Sequence, residues 1–232
     1  YLLPEKVSRQ VEFLESQPDA DVVFGPITVD YWSDAGSRPE LLPIPEPHDV
    51  WILLAGWWLP QTGAPLWRKQ ALLDVGGWKP DQQVCQEHEL YLRLLKSGKQ
   101  FAYCPHNGAV WRVWGAQTLS TRDAARVRVQ RMRIEQDEED HLRATSQLTP
   151  ERRHAINGAR FRMARVAWRE GDRAGALEIL DALHRSDPAF VPAFEPPAYR
   201  LSWRIFGFSF TEALADWRRA RRSPRPSAAR RT

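Results

Sequence analysis

The stretch GGWKPDQQVCQEHELYLR, residues 76–93, decides how the chain folds around its most distinctive chemistry. Two glycines close an apolar segment of helical spacing, and a polar loop runs over residues 79–85. Gln86, Glu87, His88 and Glu89 then open an amphipathic helix whose Leu90, Tyr91, Leu94 and Leu95 recur at helical spacing. Carboxylates in a first helical turn meet unpaired amide groups and the positive end of the helix dipole. A well-started helix explains such residues by itself. The flanking segments add the rest.

Working upstream, residues 63–67 predict a strand and 68–75 a helix with Gly76 as its cap. Residues 49–55 predict a short helix. Four prolines in residues 39–48 predict an extended linker outside the core. Residues 31–38 read as a loop and 21–29 as one strand, with Pro26 marking an edge or a bulge. Residues 1–17 predict a helix whose apolar stripe is Val7, Val11, Phe13 and Leu14.

Working downstream, Gly98 ends the central helix, and residues 100–104 and 110–114 predict strands. Residues 121–148 predict one long charged helix with i,i+4 pairs on a solvated face. Residues 151–170 and 173–185 predict two helices joined at Gly171 and Asp172. Their small residues, Ala164, Ala167, Ala174 and Ala176, resemble a single tetratricopeptide-type hairpin over 151–188; a helical tail packed on the first domain is the plainer reading. Residues 218–232, rich in arginine, proline and serine, are expected to be disordered.

The chain of 232 residues is long enough for one or two domains. It begins without Met and suggests a fragment or a processed chain. No apolar run approaches the roughly 20 residues of a membrane span. Two cysteines, Cys85 and Cys104, suit neither a disulfide framework nor a metal site, and point to a reducing, cytoplasmic setting. A net charge of only +4, with no recognition motif among the arginines, argues against nucleic-acid binding.

Gly-Gly-Trp, a short loop, an acidic pair and Leu-x-x-Arg-Leu-Leu-x-x-Gly together resemble the acceptor side of family-two GT-A inverting glycosyltransferases. The resemblance covers about residues 1–120 and is most specific over residues 63–120. It implies an α/β fold: a partial, Rossmann-like GT-A domain without its N-terminal nucleotide-binding half, followed by an α-helical C-terminal region. The divisions expected are 1–120, 121–195 and 196–232.

By that resemblance Glu87 is the general base, Gln86 stands on the first position of the family's acidic pair, and His88 and Glu89 follow it. Gly63, Ala64, Trp57, Trp58, Trp78, Gln86 and His88 fall in the region that binds acceptor and donor sugar. Residues 111–120 resemble a closing loop in which Arg112 would bind the diphosphate. Trp114 stands where many relatives have a histidine, and no metal ligand is expected in this chain. A divalent cation, Mg or Mn, would be held by an Asp-x-Asp upstream of residue 1. The implied partners are a nucleotide-sugar donor and a glycan or lipid-linked acceptor.

The aromatic and basic stretch from residue 198 onward suggests peripheral contact with the inner face of a membrane. A different class of function is a non-catalytic GT-A remnant that binds a protein through its helical tail. The missing Asp-x-Asp, Gln86, Trp114 and the hairpin motivate that alternative.

Overall fold

The structure is a computed structural model, and it describes residues 1–114 and 123–222. β-Branched and aromatic residues in Val-Val-Phe form β1 (Val22–Phe24), all but sealed from solvent. It is the middle strand of a three-stranded sheet, antiparallel to β4 (Leu66–Trp67) and parallel to β5 (Phe101–Tyr103).

Two residues later the chain enters a second sheet as β2 (Ile27–Ser33). This sheet has the order β3-β2-β6, with β3 (Gly36–Leu42) antiparallel and β6 (Val110–Trp114) parallel to β2. Gly25 makes the switch possible. A Cβ there would land on the Cys104 carbonyl oxygen, with that of His106 3.0 Å away.

The single strand expected over 21–29 is therefore two strands in two sheets. The loop expected at 31–38 and part of the proline linker are a hairpin instead. Its outer strand is exposed, and Pro39 is tolerated there because an edge strand can spare an N–H.

Among the described residues, six helices complete this part: α1 (Lys6–Ser16), α2 (Val50–Gly56), α3 (Lys69–Asp74), α4 (Gln86–Lys96), α5 (Ala124–Ala144) and the start of α6 (Pro150–Arg169). Asp49 caps α2, its carboxylate accepting from the amides of Trp51 and Ile52. A core of Phe24, Trp51, Leu53, Leu54, Tyr91, Leu95, Leu142 and Ile156 joins sheet and helices. Leu90 and Leu94 face β1 and α3 in a second cluster.

α1 departs from its expected stripe. Val7 and Val11 are exposed, whereas Lys6, Gln10 and Leu14 are buried. Both polar residues have work inside: Lys6 Nζ donates to the Pro65 carbonyl at 3.2 Å and Gln10 Nε2 to that of Ala64 at 2.9 Å. The acidic run of α5 differs likewise, since Glu135, Glu138 and Glu139 are buried. Arg131 and Arg143 supply i,i+4 partners to Glu135 and Glu139.

The chain divides into two compact units, Tyr1–Ile156 and Asn157–Thr232, with the division inside α6. In the second unit, α6 and α7 (Arg173–Ser186) are joined by a turn at Gly171 with φ +87°, and Asn157 Nδ2 donates to Ser186 Oγ at 2.9 Å, which brings the start of one helix beside the end of the other. Asp172 caps α7 by accepting from the Gly175 amide at 2.9 Å. Ala164, Ala167 and Ala176 are fully buried, while Leu177 faces out.

α8 (Pro197–Arg222) carries helical structure past residue 218, where disorder was expected; residues 223–232 of that expectation lie outside the described residues. Phe161 sits at the centre of an aromatic cluster with Phe194, Tyr199, Trp203 and Phe208.

Candidate functional site

α4 begins at Gln86 after Cys85 takes a left-handed backbone conformation, φ 60°. That turn sends the two first-turn carboxylates to different tasks. Glu89 is about nine-tenths buried and accepts from Arg93 through both oxygens, at 2.8–3.0 Å. Lys79 Nζ approaches it to 2.5 Å. Burial alone would raise its pKa, but the hydrogen bonds from Arg93 and Lys79 prevail and hold it below the usual carboxylate value. Arg93 also donates to the carbonyls of Val75 and Gly77. Arg93 and Glu89 thus staple the glycine loop to α4, and their role is architectural.

Glu87 is bound differently. Its Oε1 accepts from Thr62 Oγ1 at 2.6 Å, in an exposed contact, and no cation pairs with it among the described residues. Thr62 belongs to a loop held firmly from beneath. Tyr91, fully buried on α4, donates its hydroxyl to the Pro60 carbonyl at 2.5 Å. Burial, helped by the charge of Glu87, pushes the Tyr91 pKa well up, so the phenol stays protonated. Ala64 and Pro65 are held by Gln10 and Lys6. Burial pushes the ammonium pKa of Lys6 down.

Gln61 and Gly63, on either side of Thr62, line a groove of about 350 Å³ with Tyr1, Ala64, Val110 and Trp111. The structure therefore brings Glu87, Gly63 and Ala64 to one neighbourhood. Thr62 and Trp111 were not legible as site residues from sequence. The exposed indole of Trp111 and the run Gln61-Thr62-Gly63 are the signals that could have found them.

The other candidates are placed elsewhere. His88 lies flat on Trp57, ring centroids 3.6 Å apart and planes 16° apart, and the Arg131 guanidinium sits 4.1 Å from the same indole. Trp57 is occupied by these partners and offers no open stacking face. Burial, and then the charge of Arg131, pushes the His88 pKa down to about 3. A histidine of this kind is neutral, interior and ill suited to shuttling protons near neutral pH.

Gln86 turns back on its own loop, Nε2 to the Gln83 carbonyl at 2.8 Å. Trp58 and Trp78 are half-exposed, Trp78 standing edge-on to Trp67. Arg112 lies 3.7 Å from Asp30 and over the rings of Tyr1 and Trp32. Trp114 stacks on Trp32 at 4.7 Å; the rest of the expected closing loop, 115–120, lies outside the described residues. Burial raises the Cys85 thiol to about 11, which leaves it unreactive.

A larger groove, about 510 Å³, includes His48, Trp51, Lys96, Lys99, His141 and Arg152 in its wall. Its size is not matched by available chemistry. Lys96, Lys99 and Arg152 are already paired with Asp137, Asp74 and Asp49. No group of three or more His, Cys, Asp or Glu placed to hold a metal ion occurs among the described residues.

No family model, curated protein or solved structure matches the chain.

Proposed function

We propose that the chain is the acceptor-side part of an inverting, nucleotide-sugar-dependent glycosyltransferase, with Glu87 as general base. One observation carries the reading. Of the two carboxylates that open α4, Glu89 is consumed by Arg93 and Lys79, while Glu87 is partly exposed and holds only a neutral hydroxyl in a solvent-facing contact. A base must be ionised, reachable and not already neutralised by a cation. Glu87 is reachable and pairs with no cation among the described residues, beside a loop that lines a groove.

In the proposed reaction the acceptor hydroxyl gives its proton to Glu87. Its oxygen forms the bond to the anomeric carbon as the bond from that carbon to the nucleoside diphosphate breaks. Thr62 fixes the orientation of the carboxylate before the acceptor arrives. Trp58 and Trp78 present exposed indole surface suited to a sugar face. The resemblance implies a divalent cation and a donor-binding half. The described residues of this chain offer no side-chain set fitted to that ion, so no step is assigned through it.

The test is Glu87→Gln in a polypeptide that also carries the donor-binding half, assayed for nucleoside diphosphate release across a panel of nucleotide sugars. Turnover should fall by about 10²–10⁴, the usual worth of a general base. Donor affinity should stay unchanged. Wild-type turnover in the variant would remove Glu87 from the mechanism.

A further inference from the structure

We propose that the turn within α8 is a membrane-contact element that inserts its apolar tip into an anionic lipid surface. α8 does not run straight. The Tyr199 hydroxyl donates to Glu212 at 2.6 Å, and Ser202 and Thr211 share a hydrogen bond of 2.8 Å. In an unbroken helix residues 199 and 212 would stand about 20 Å apart. Gly207 folds the chain back with φ 73° and ψ −175°, a backbone conformation that glycine adopts without steric cost.

The turn sorts its apolar residues into two sets. Trp203 and Phe208 pack inward against Phe161 and complete the core of this unit. Leu201, Ile205, Phe206 and Phe210 point outward, with 60, 60, 58 and 50 % of their surface exposed. Leu201 and Ile205 lie one helical turn apart, and the rings of Phe206 and Phe210 touch across Gly207 with centroids 4.6 Å apart. The outer set makes an exposed apolar wedge of the turn and the arm that leads into it, and apolar patches of that kind mark contact sites.

Charge identifies what the wedge meets. Residues 198–232 contain nine arginines and two acidic residues, whereas the preceding 197 residues contain 24 basic and 27 acidic ones. All of the chain's net positive charge therefore lies in this stretch. Both acids are engaged: Glu212 is fully buried with Arg165, and Asp216 pairs with Arg219.

Arg200 and Arg204 alternate with Leu201 and Ile205 on the same helical segment and have no acidic partner among the described residues. Farther along, Trp217 is half-exposed, with the Arg221 guanidinium 3.8 Å from its ring. Arginines that reach phosphate oxygens beside rings that enter the acyl boundary are the chemistry of an interfacial anchor. No helix among the described residues is long and apolar enough to cross a bilayer, so the contact is made from one side.

The experiment is co-sedimentation of the full chain with phosphatidylcholine vesicles, with and without phosphatidylglycerol. Binding is expected to the anionic vesicles and little to the neutral ones. The double variant Phe206→Ser/Phe210→Ser should bind about tenfold more weakly or worse, since two rings no longer enter the lipid. Its thermal melting should be unchanged, because both rings are exposed. Arg200→Gln/Arg204→Gln should weaken binding and flatten its salt dependence. Failure to sediment with either vesicle overturns the proposal. So does binding that survives loss of the two phenylalanines, which would reveal simple attraction of arginines to any polyanion.

Discussion

The guanidinium of Arg93 grips both carboxylate oxygens of Glu89, one helical turn earlier, through Nε and Nη2, and donates to the carbonyls of Val75 from Nη1 and Gly77 from Nη2. That arrangement separates Glu89 from Glu87 in function, although the two lie in the same first turn. Glu89→Gln should lower stability by about 1–3 kcal/mol, because a partly buried arginine loses its counter-charge. Glu87→Gln, which gives up one exposed contact, should leave the melting temperature unchanged. Urea denaturation of the two variants side by side checks the split; equal losses would contradict it.

His88 sets an acid limit on the fold. The unfolded chain takes up this proton below about pH 6.5, whereas the folded chain resists it until about pH 3. The stability tied to the neutral ring is therefore complete above pH 6.5 and drains away as the pH falls toward 3. Its full size is on the order of 5 kcal/mol at most. His88→Phe keeps an aromatic ring on Trp57 and removes the titration. Between pH 6.5 and 5 the variant's unfolding free energy should be flatter with pH than the parent's, since the two chains differ only in this ring. Parallel curves would show that His88 does not titrate as described.

Gly25→Ala tests the passage between the two sheets. The added methyl would meet two backbone carbonyl oxygens, those of Cys104 and His106, neither of which is free to swing away. A loss of about 1–3 kcal/mol is expected, the usual result of forcing an atom into a packed interior. Gly36→Ser is a useful contrast: nothing lies near a Cβ there, but φ is +110°, so its smaller loss would come from backbone strain alone. Chemical denaturation of both separates crowding from conformation.

In the second unit, Glu212 is sealed from solvent and accepts from Arg165 at 2.5 Å and from Tyr199 at 2.6 Å. Its charge, after burial itself, pushes the Tyr199 pKa far up. Glu212→Ala should cost about 3–5 kcal/mol, since Arg165 keeps only Glu195 as a counter-charge. Replacing Arg165 and Glu212 together by Met and Leu should recover part of that loss, as an apolar pair is cheaper than one stranded charge. A double variant as unstable as the sum of the single ones would rule out direct coupling.

Helices with strong punctuation were legible in the sequence. Gly98, Thr149, Pro150, Gly171, Asp172 and Pro188 mark the ends of α4, α6 and α7 to within a residue or two. The buried face of α4 was legible too, because Leu90, Tyr91, Leu94 and Leu95 recur at helical spacing. What failed was any feature decided by partners distant in the chain. Lys6 and Gln10 are polar, so pattern reading turned them outward; they are buried because two loop carbonyls some 55–60 residues away need donors. The sheet switch at Gly25 depends on where Cys104 runs. Glu87 stood out from its motif, but Thr62 could be joined to it only in three dimensions.

The loop beside Glu87 takes its hydrogen-bond donors from α1. Two side chains one turn apart on that helix hold two consecutive carbonyls, Ala64 and Pro65, and the stem of Lys6 lies against Gly108. Loop and helix consequently form one stiff bracket. A guest entering the groove cannot push Gly63 and Ala64 aside without dragging α1 along. Any give must come from the groove's other lining residues, of which Trp111 has an exposed indole and makes none of the hydrogen bonds of that bracket.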